Sequence, residues 1–217
     1  MKKFFLTFLF MWVGFEVSLQ ASCKDVNGSS DVPCQSSGIF GEGVSTNVDP
    51  DDAYCLMPNH FHLLLIPQEE KSLSRLMQWV MTSHVRYYHK KNKTSGHIWQ
   101  GRYKSFMVEK ESYYLTLIRY IETNAHRAKL TKKAQDWKYG SLYERVTKNR
   151  ELLNEPYVTL YDEWINYVNQ PLREGELENI RNSVNRQAPL GQEQWQVEIA
   201  TKYGMLSTLR SRGRPSL

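Results

Sequence analysis

Two histidines separated by one residue are the first candidates for chemistry in this 217-residue chain. They lie within residues 54–66, a mostly apolar segment that predicts a strand with a kink or bulge at Pro58 and Asn59. Because side chains at i and i+2 share a face of a strand, His60 and His62 should point to the same side. Imidazoles placed in this way can bind one divalent cation and leave positions open for a substrate. The alternative for so short a motif is two ordinary histidines that make hydrogen bonds or face solvent.

A second polar group lies on the helix predicted over Ser112 to Leu130. The core stripe of this helix recurs at helical spacing and comprises Tyr114, Ile118, Ile121, Ala125 and Ala128. Tyr120 is about 200° around the helix from Ile118 of this stripe at ~100° per residue, so it should point away from the core with Asn124 and Arg127. A tyrosine oxygen can attack phosphorus if a metal ion polarises the phosphate. An ordinary surface tyrosine is the alternative.

The basic charge of the chain is concentrated around these residues. The whole chain carries +5, whereas residues 54–150 contain 18 basic and 7 acidic residues, a net charge of +11. Basic groups interleaved with aromatic residues suit a phosphate backbone and unstacked bases, although a solvated basic face over a tyrosine-rich core gives the same composition. The mean hydropathy of −0.58 argues against a polytopic membrane protein, and three cysteines are too few for a disulfide scaffold.

Several side chains in and beyond this basic segment are candidates for contact with DNA. The candidates for phosphate contacts are Arg102, Lys104, Arg119 and Arg127. Trp99 could stack on a base or belong to the core. At the end of the chain, Arg212 and Arg214 lie in an Arg-Gly-Arg-Pro segment. Two guanidinium groups on an extended backbone suit a narrow minor groove, with a disordered basic end as the alternative.

The elements that must position these groups divide the chain into four segments. Residues 1–22 begin with lysines and continue in an apolar run, as in a secretory signal, with a buried N-terminal strand or helix as the alternative. Residues 23–53 are rich in Ser, Gly, Asp and Asn and are predicted to be mostly loop. Residues 54–150 hold the histidine strand, a helix from Ser72 to Lys90 and the tyrosine helix. Residues 151–217 are predicted to form a small helical extension with a basic tail.

Three ordered motifs resemble those of one transposase family. They are Tyr-Cys-Leu-Met-Pro-Asn-His-Phe-His-Leu-Leu-Leu at residues 54–65, Gly-His-Ile-Trp-Gln-Gly-Arg-Tyr-Lys-Ser at residues 96–105, and Arg-Tyr-Ile-Glu-Thr-Asn at residues 119–124. Together they resemble the single-tyrosine HUH transposases, especially the REP-associated tyrosine transposases. The resemblance covers roughly residues 54–146, and parts of the C-terminal segment are similar to the ends of some members.

The resemblance implies an activity and a fold. It implies that Tyr120 cleaves single-stranded, hairpin-bearing DNA to a 5′-phosphotyrosine, and that His60, His62 and Asn124 bind Mg²⁺ or Mn²⁺. The partner would be single-stranded or hairpin DNA in the cytoplasmic nucleoid, with export as the alternative if residues 1–22 are a signal. No small-molecule substrate or membrane partner is expected, and either a homodimer or a monomer agrees with the family. The expected fold is α+β, a ferredoxin- or RRM-like antiparallel sheet with helices on one face.

The N-terminal part departs from this family pattern. The family domain begins with a strand, a helix and a second strand, whereas residues 1–53 read as a signal-like segment and a loop. We therefore expect the domain to lack its first strand and helix and to expose an edge or face of the histidine strand. A catalytically inactive DNA-binding remnant is the alternative function.

Overall fold

The sheet that carries the histidine pair has four antiparallel strands in the order β2-β3-β1-β4. The strands are β1 (Leu6–Trp12), β2 (Val48–Met57), β3 (His60–Pro67) and β4 (Lys104–Val108). The architecture comes from a computed structural model that describes residues 6–12, 48–67, 69, 71–109, 112–148, 153, 156 and 158–210. The α+β class and the antiparallel sheet predicted from the sequence are confirmed.

The N-terminal apolar run forms a strand in the middle of the sheet. Leu6–Trp12 pairs with β3 on one side and with β4 on the other. The expectation that the first strand is missing is therefore wrong, and the alternative of an N-terminal strand agrees with the structure. A short continuous apolar run suits a strand with neighbours on both sides as well as it suits a signal segment. The expected absence of the first helix concerns residues that lie outside those described.

Helices cover both faces of the sheet. Helix α1 (Ser72–Asn92) packs Leu76 and Met77 on the face of β3 that carries Phe61. Helix α2 (Ser112–Glu122) packs on the opposite face, where Leu64 lies. The predicted alternation is confirmed for residues 60–65, but the single strand predicted over residues 54–66 is two strands, β2 and β3, joined by a turn at Pro58 and Asn59. The expectation of helices on one face is also wrong. Strand β3 is apolar at consecutive positions, so each of its faces needs a cover.

Both edge strands of the sheet are bonded to later parts of the chain. On the β2 side, the Leu56 N–H donates to the Tyr139 carbonyl at 2.8 Å. On the β4 side, the Leu190 N–H donates to the Met107 carbonyl at 2.8 Å, and the Glu109 N–H donates to the Leu190 carbonyl at 2.8 Å. These contacts occupy edge groups that would otherwise be open to pairing with another chain. The expected exposed edge at the histidine strand is not found, because β3 has β2 and β1 as its neighbours.

The remaining α-helices follow the tyrosine helix in the chain, and α3 to α6 contribute to the core on its side of the sheet. They are α3 (Asn124–Arg127), α4 (Ser141–Thr147), α5 (Trp164–Asn169), α6 (Glu174–Arg186) and α7 (Glu193–Lys202). The C-terminal helices expected from the sequence are confirmed. They are not a separate layer, since Trp164 and Ile180 belong to the same hydrophobic core as Ile118 of α2. Within the described residues, no helix is both long and apolar enough to cross a membrane.

Candidate functional site

The tyrosine helix meets the histidine strand directly. Helix α2 lies on the face of the sheet to which His62 points, and the ring centroids of His62 and Tyr120 are 5.7 Å apart. The two rings are nearly perpendicular, with an interplanar angle of 86°. This edge-to-face geometry is the one that aromatic rings prefer. His62 and Tyr120, which the sequence analysis selected separately as candidates for chemistry, are therefore neighbours in the fold.

The two histidine rings of this site lie close to each other. The centroids of the His60 and His62 rings are 5.0 Å apart, and their planes are nearly perpendicular. His62 is almost fully buried, whereas His60 is partly exposed and its Nδ1 lies 2.7 Å from Asn59 Oδ1. The shared face follows from the period-2 geometry of β3, as predicted.

Burial keeps both imidazoles neutral at neutral pH. Desolvation lowers the pKa of His60 to about 4. Burial also lowers the pKa of His62 well below its usual value, and repulsion from His60 in its protonated form and from Arg127 lowers it further. A neutral imidazole has one ring nitrogen with a lone pair, which is the form that binds a metal ion.

Asn124 lies one helical turn beyond Tyr120, at the start of α3. Its side chain is 7% exposed, and its Oδ1 accepts a hydrogen bond from the Arg127 guanidinium at 3.2 Å. Its Nδ2 is buried and has no hydrogen-bond partner among the described residues. A buried amide group without a partner costs free energy, so it marks a position where a further group would be favourable.

Arg127 completes the polar cluster. The Arg127 guanidinium carbon lies 4.8 Å from the centroid of the Tyr120 ring.

Tyr120 is only 7% exposed and contacts the hydrophobic core, although the helical wheel predicted that it would point away from the core. Helical periodicity predicted a single buried face of α2. Because strand β3 and the C-terminal helices cover α2 on more than one face, Tyr120 is buried as well. Ala128, which the sequence analysis placed in the core stripe, is exposed because α3 ends at Arg127.

The donor set of this site suits a divalent cation with open coordination positions. His60 and His62 supply imidazole nitrogens, and Asn124 supplies an amide whose oxygen and nitrogen can exchange places by rotation. In the part of the chain that the structure describes, no cluster combines three or more His, Cys, Asp or Glu side chains. The candidate ligands are thus two histidines and one amide, all uncharged, which is unlike a closed structural zinc site.

Two of the predicted DNA contacts have structural roles instead. The Arg119 guanidinium is buried and donates to the carbonyl oxygens of Gln170 at 3.0 Å and Pro171 at 2.9 Å. Trp99 donates from Nε1 to the Met81 carbonyl at 3.3 Å and packs on the α1 face, away from Tyr120. The core alternative for Trp99 therefore agrees with the structure, and the fold leaves Arg119 no access to a phosphate.

The other predicted DNA contacts remain available or lie outside the described part. Lys104 begins β4, and both Lys104 and His62 pair with Phe10 across the sheet. Since opposed residues of an antiparallel sheet share a face, the Lys104 side chain lies on the Tyr120 side, roughly 10 Å from His62 at two strand spacings. Arg102 is exposed. Arg212 and Arg214 lie outside the described residues.

A buried carboxylate on α2 was not identified from the sequence. Glu122 accepts hydrogen bonds at Oε1 from Ser141 Oγ and from Arg145 Nε, both at 2.8 Å. The Trp164 Nε1 donates to its Oε2 at 2.7 Å. Glu122 thus joins the tyrosine helix to α4 and α5. The only signal in the sequence is a charged residue directly after the apolar Ile121, and its partners lie 19 to 42 residues away.

Comparison with known proteins identifies the central segment. Residues 52–124 match the family of IS200-like transposases. The resemblance to a transposase family is confirmed over this segment, which contains the histidine pair and Tyr120 and ends at Asn124. A solved structure of a REP-associated tyrosine transposase bound to a REP hairpin is similar at 13% identity, with a TM-score of 0.49. The similarity covers 78% of this chain and 93% of that one. A search of curated proteins finds no match.

Proposed function

We propose that this protein is a transposase that cleaves and rejoins single-stranded, hairpin-bearing DNA through Tyr120. The observation that carries the proposal is the contact between the Tyr120 and His62 rings inside a segment that matches IS200-like transposases. A tyrosine held against a histidine pair, with an arginine over its ring, provides a nucleophile and positive charge at one place.

The proposed chemistry is an exchange of one phosphodiester for another. Tyr120 Oη forms a bond to phosphorus, and the bond between phosphorus and the 3′ oxygen breaks. Overall, the phenolic proton passes to the departing oxygen, which leaves as a free 3′ hydroxyl. The energy of the broken bond is kept in the 5′-phosphotyrosine link, so a 3′ hydroxyl can reverse the reaction without ATP. Arg127, which lies against the Tyr120 ring, would stabilise the charge that develops on the phenolic oxygen.

The proposed cofactor is Mg²⁺ or Mn²⁺, held by His60, His62 and Asn124. When bound, the ion would polarise the phosphate oxygens and stabilise the negative charge of the transition state. Two imidazoles among three protein ligands favour Mn²⁺ over Mg²⁺, because Mg²⁺ prefers oxygen donors in a regular octahedron. The neutral state of both histidines supports this assignment.

The proposed partner is DNA with a single-stranded stretch next to a hairpin, in the nucleoid of the cytoplasm. The net charge of +11 over residues 54–150 supports a nucleic-acid partner. Arg102 and Lys104 are the proposed phosphate contacts near the site, and Arg212 and Arg214 are proposed contacts to the DNA minor groove. We propose that the protein acts as a monomer or a homodimer.

A labelled hairpin oligonucleotide with single-stranded flanks tests this function. The intact chain, incubated with Mn²⁺, should form a covalent protein–DNA adduct that survives denaturing electrophoresis. The adduct should be absent with a chelator and with Tyr120→Phe, while Tyr87→Phe, a matched change at an exposed tyrosine, should form it at the wild-type level. Binding of the same oligonucleotide is measured in parallel. Binding without any adduct would support the alternative of an inactive DNA-binding remnant and would overturn the proposal.

A further inference from the structure

Arg127 is the resident cation of the candidate site. It donates to Asn124 Oδ1 at 3.2 Å and lies 4.8 Å from the centroid of the Tyr120 ring. Its charge is also felt at His62, where it disfavours a second positive charge. One guanidinium thus touches or influences three of the four residues to which we assign the chemistry.

The charge balance of the site is unusual for a cation site. The three candidate ligands, His60, His62 and Asn124, have imidazole and amide side chains, which carry no negative charge. The Arg127 guanidinium donates to the Asn124 oxygen at 3.2 Å, so its positive charge lies next to the atom that would bind the cation. A divalent cation held by these ligands would therefore lie close to the Arg127 charge and be repelled by it.

We infer that Arg127 is a positioning residue that holds the Asn124 oxygen and opposes divalent-cation binding until a DNA phosphate accepts the guanidinium. This inference rests on the proposed function and deepens it. A phosphate brings negative charge to the site and offers a guanidinium two parallel hydrogen bonds in place of one to an amide. DNA and the cation should therefore bind cooperatively at this site, each strengthening the binding of the other by the same factor.

The fold allows such an exchange. Arg127 is the last residue of the short helix α3 and is partly exposed, whereas Asn124 and Tyr120 are buried. The guanidinium can turn towards solvent on its long side chain without movement of the two buried residues. Lys104 lies on the same face of the sheet, so a phosphate that reaches Arg127 would meet a second basic group nearby.

Manganese binding without DNA tests the inference apart from activity. Mn²⁺ is titrated into the intact protein, and the signal of the free ion is followed by electron paramagnetic resonance. Arg127→Met should bind Mn²⁺ at least about tenfold more tightly than the wild type, because a nearby like charge is removed and the Asn124 oxygen is released. Arg181→Met, a matched removal of an exposed arginine charge, should leave the affinity unchanged. Arg127→Lys keeps the charge and should remain close to wild type.

The DNA arm uses Tyr120→Phe, which keeps the ring and prevents cleavage. A hairpin oligonucleotide should raise the Mn²⁺ affinity of this variant at least about tenfold and should raise that of Tyr120→Phe/Arg127→Met far less. This arm also serves if Arg127→Met alone unfolds, since the gain with DNA is then measured in Tyr120→Phe by itself. A merely structural arginine would produce the opposite result, a loss of Mn²⁺ affinity on its removal.

The outcomes separate this inference from the proposed function. Equal or weaker Mn²⁺ binding by folded Arg127→Met, or no gain in affinity with DNA, would overturn the inference even if covalent adducts still form. If Mn²⁺ binds in no arm and no adduct forms, both the inference and the proposed function fail. Tighter Mn²⁺ binding by Arg127→Met, together with a DNA-dependent gain in the Mn²⁺ affinity of Tyr120→Phe, supports the inference.

Discussion

The two sides of the tyrosine helix use charged and polar groups in opposite ways. On one side, Glu122 is fully buried and accepts hydrogen bonds from three side chains, one of them the guanidinium of Arg145. On the other side, Tyr120 lies against His62 of the histidine strand, and Asn124, one helical turn further on, has a buried amide nitrogen without a partner among the described residues. Glu122 on one side and Tyr120 and Asn124 on the other lie within two helical turns of one another along the chain.

The difference separates a scaffold from a site. Around Glu122 each carboxylate oxygen is satisfied, which fixes α2 against α4 and α5. Around Asn124 the amide nitrogen is buried without a partner among the described residues, which agrees with the proposed role of Asn124 as a ligand. Variants that remove groups from the first side should therefore lower stability, whereas variants on the second side should change binding and chemistry.

Removal of the Glu122 carboxylate should have the largest effect on stability. Glu122→Ala leaves the Arg145 charge buried without its partner, so we expect the free energy of unfolding to fall by about 3–5 kcal/mol. Urea unfolding followed by circular dichroism measures this. Glu174→Ala, at a mostly exposed glutamate, is the control and should change stability by less than about 0.5 kcal/mol. Equal effects of the two variants would remove the distinction between the scaffold and the surface.

Arg119 is the next test, because the sequence and the structure assign it different roles. Arg119→Met removes donors to two backbone carbonyls and a cation 4.0 Å from the Tyr167 ring centroid. We expect a loss of about 1–3 kcal/mol in unfolding free energy and unchanged DNA affinity. Urea unfolding and a fluorescence-anisotropy titration with the hairpin oligonucleotide measure the two quantities. A stable variant with weakened DNA binding would restore the phosphate role.

The pH dependence of stability should reveal the buried histidine pair. The folded protein keeps His60 neutral down to about pH 4, and His62 is held neutral as well. The unfolded chain takes up these protons near the ordinary histidine pKa of about 6.5. Because the unfolded state binds more protons between about pH 6.5 and 4, the free energy of unfolding should decrease as the pH falls through this window. His60→Gln should flatten this dependence, and a steeper dependence in that variant would contradict the assignment.

Lys104 should show the smallest effect, confined to DNA binding. Lys104→Met removes one proposed phosphate contact on the Tyr120 side of the sheet, so affinity should fall uniformly across sequences. The slope of log affinity against log salt should become less steep by about one. Anisotropy titrations over a range of salt concentrations measure this slope, with Lys202→Met on the distant helix α7 as the control. An unchanged slope would place the DNA path elsewhere.

The sequence predicted local features of the site better than its surroundings. The shared face of His60 and His62 follows from strand periodicity, and the closeness of Asn124 to Tyr120 follows from one helical turn. Neither periodicity says which layers cover a helix, so the burial of Tyr120 and Arg119 was missed. Leu6–Trp12 shows a different limit, because an apolar run has the same composition whether it is a central strand or a signal segment. Glu122 depends on partners far along the chain, which only the fold brings together.

The position of the covalent bond tests the central claim most directly. The adduct formed by the full-length protein with the hairpin oligonucleotide is digested with protease and nuclease, and mass spectrometry locates the residue that carries the nucleotide. The account predicts a phosphodiester on the peptide that contains Tyr120. A nucleotide on another residue, such as the exposed Tyr87, would contradict the assignment of the nucleophile and of the site around it.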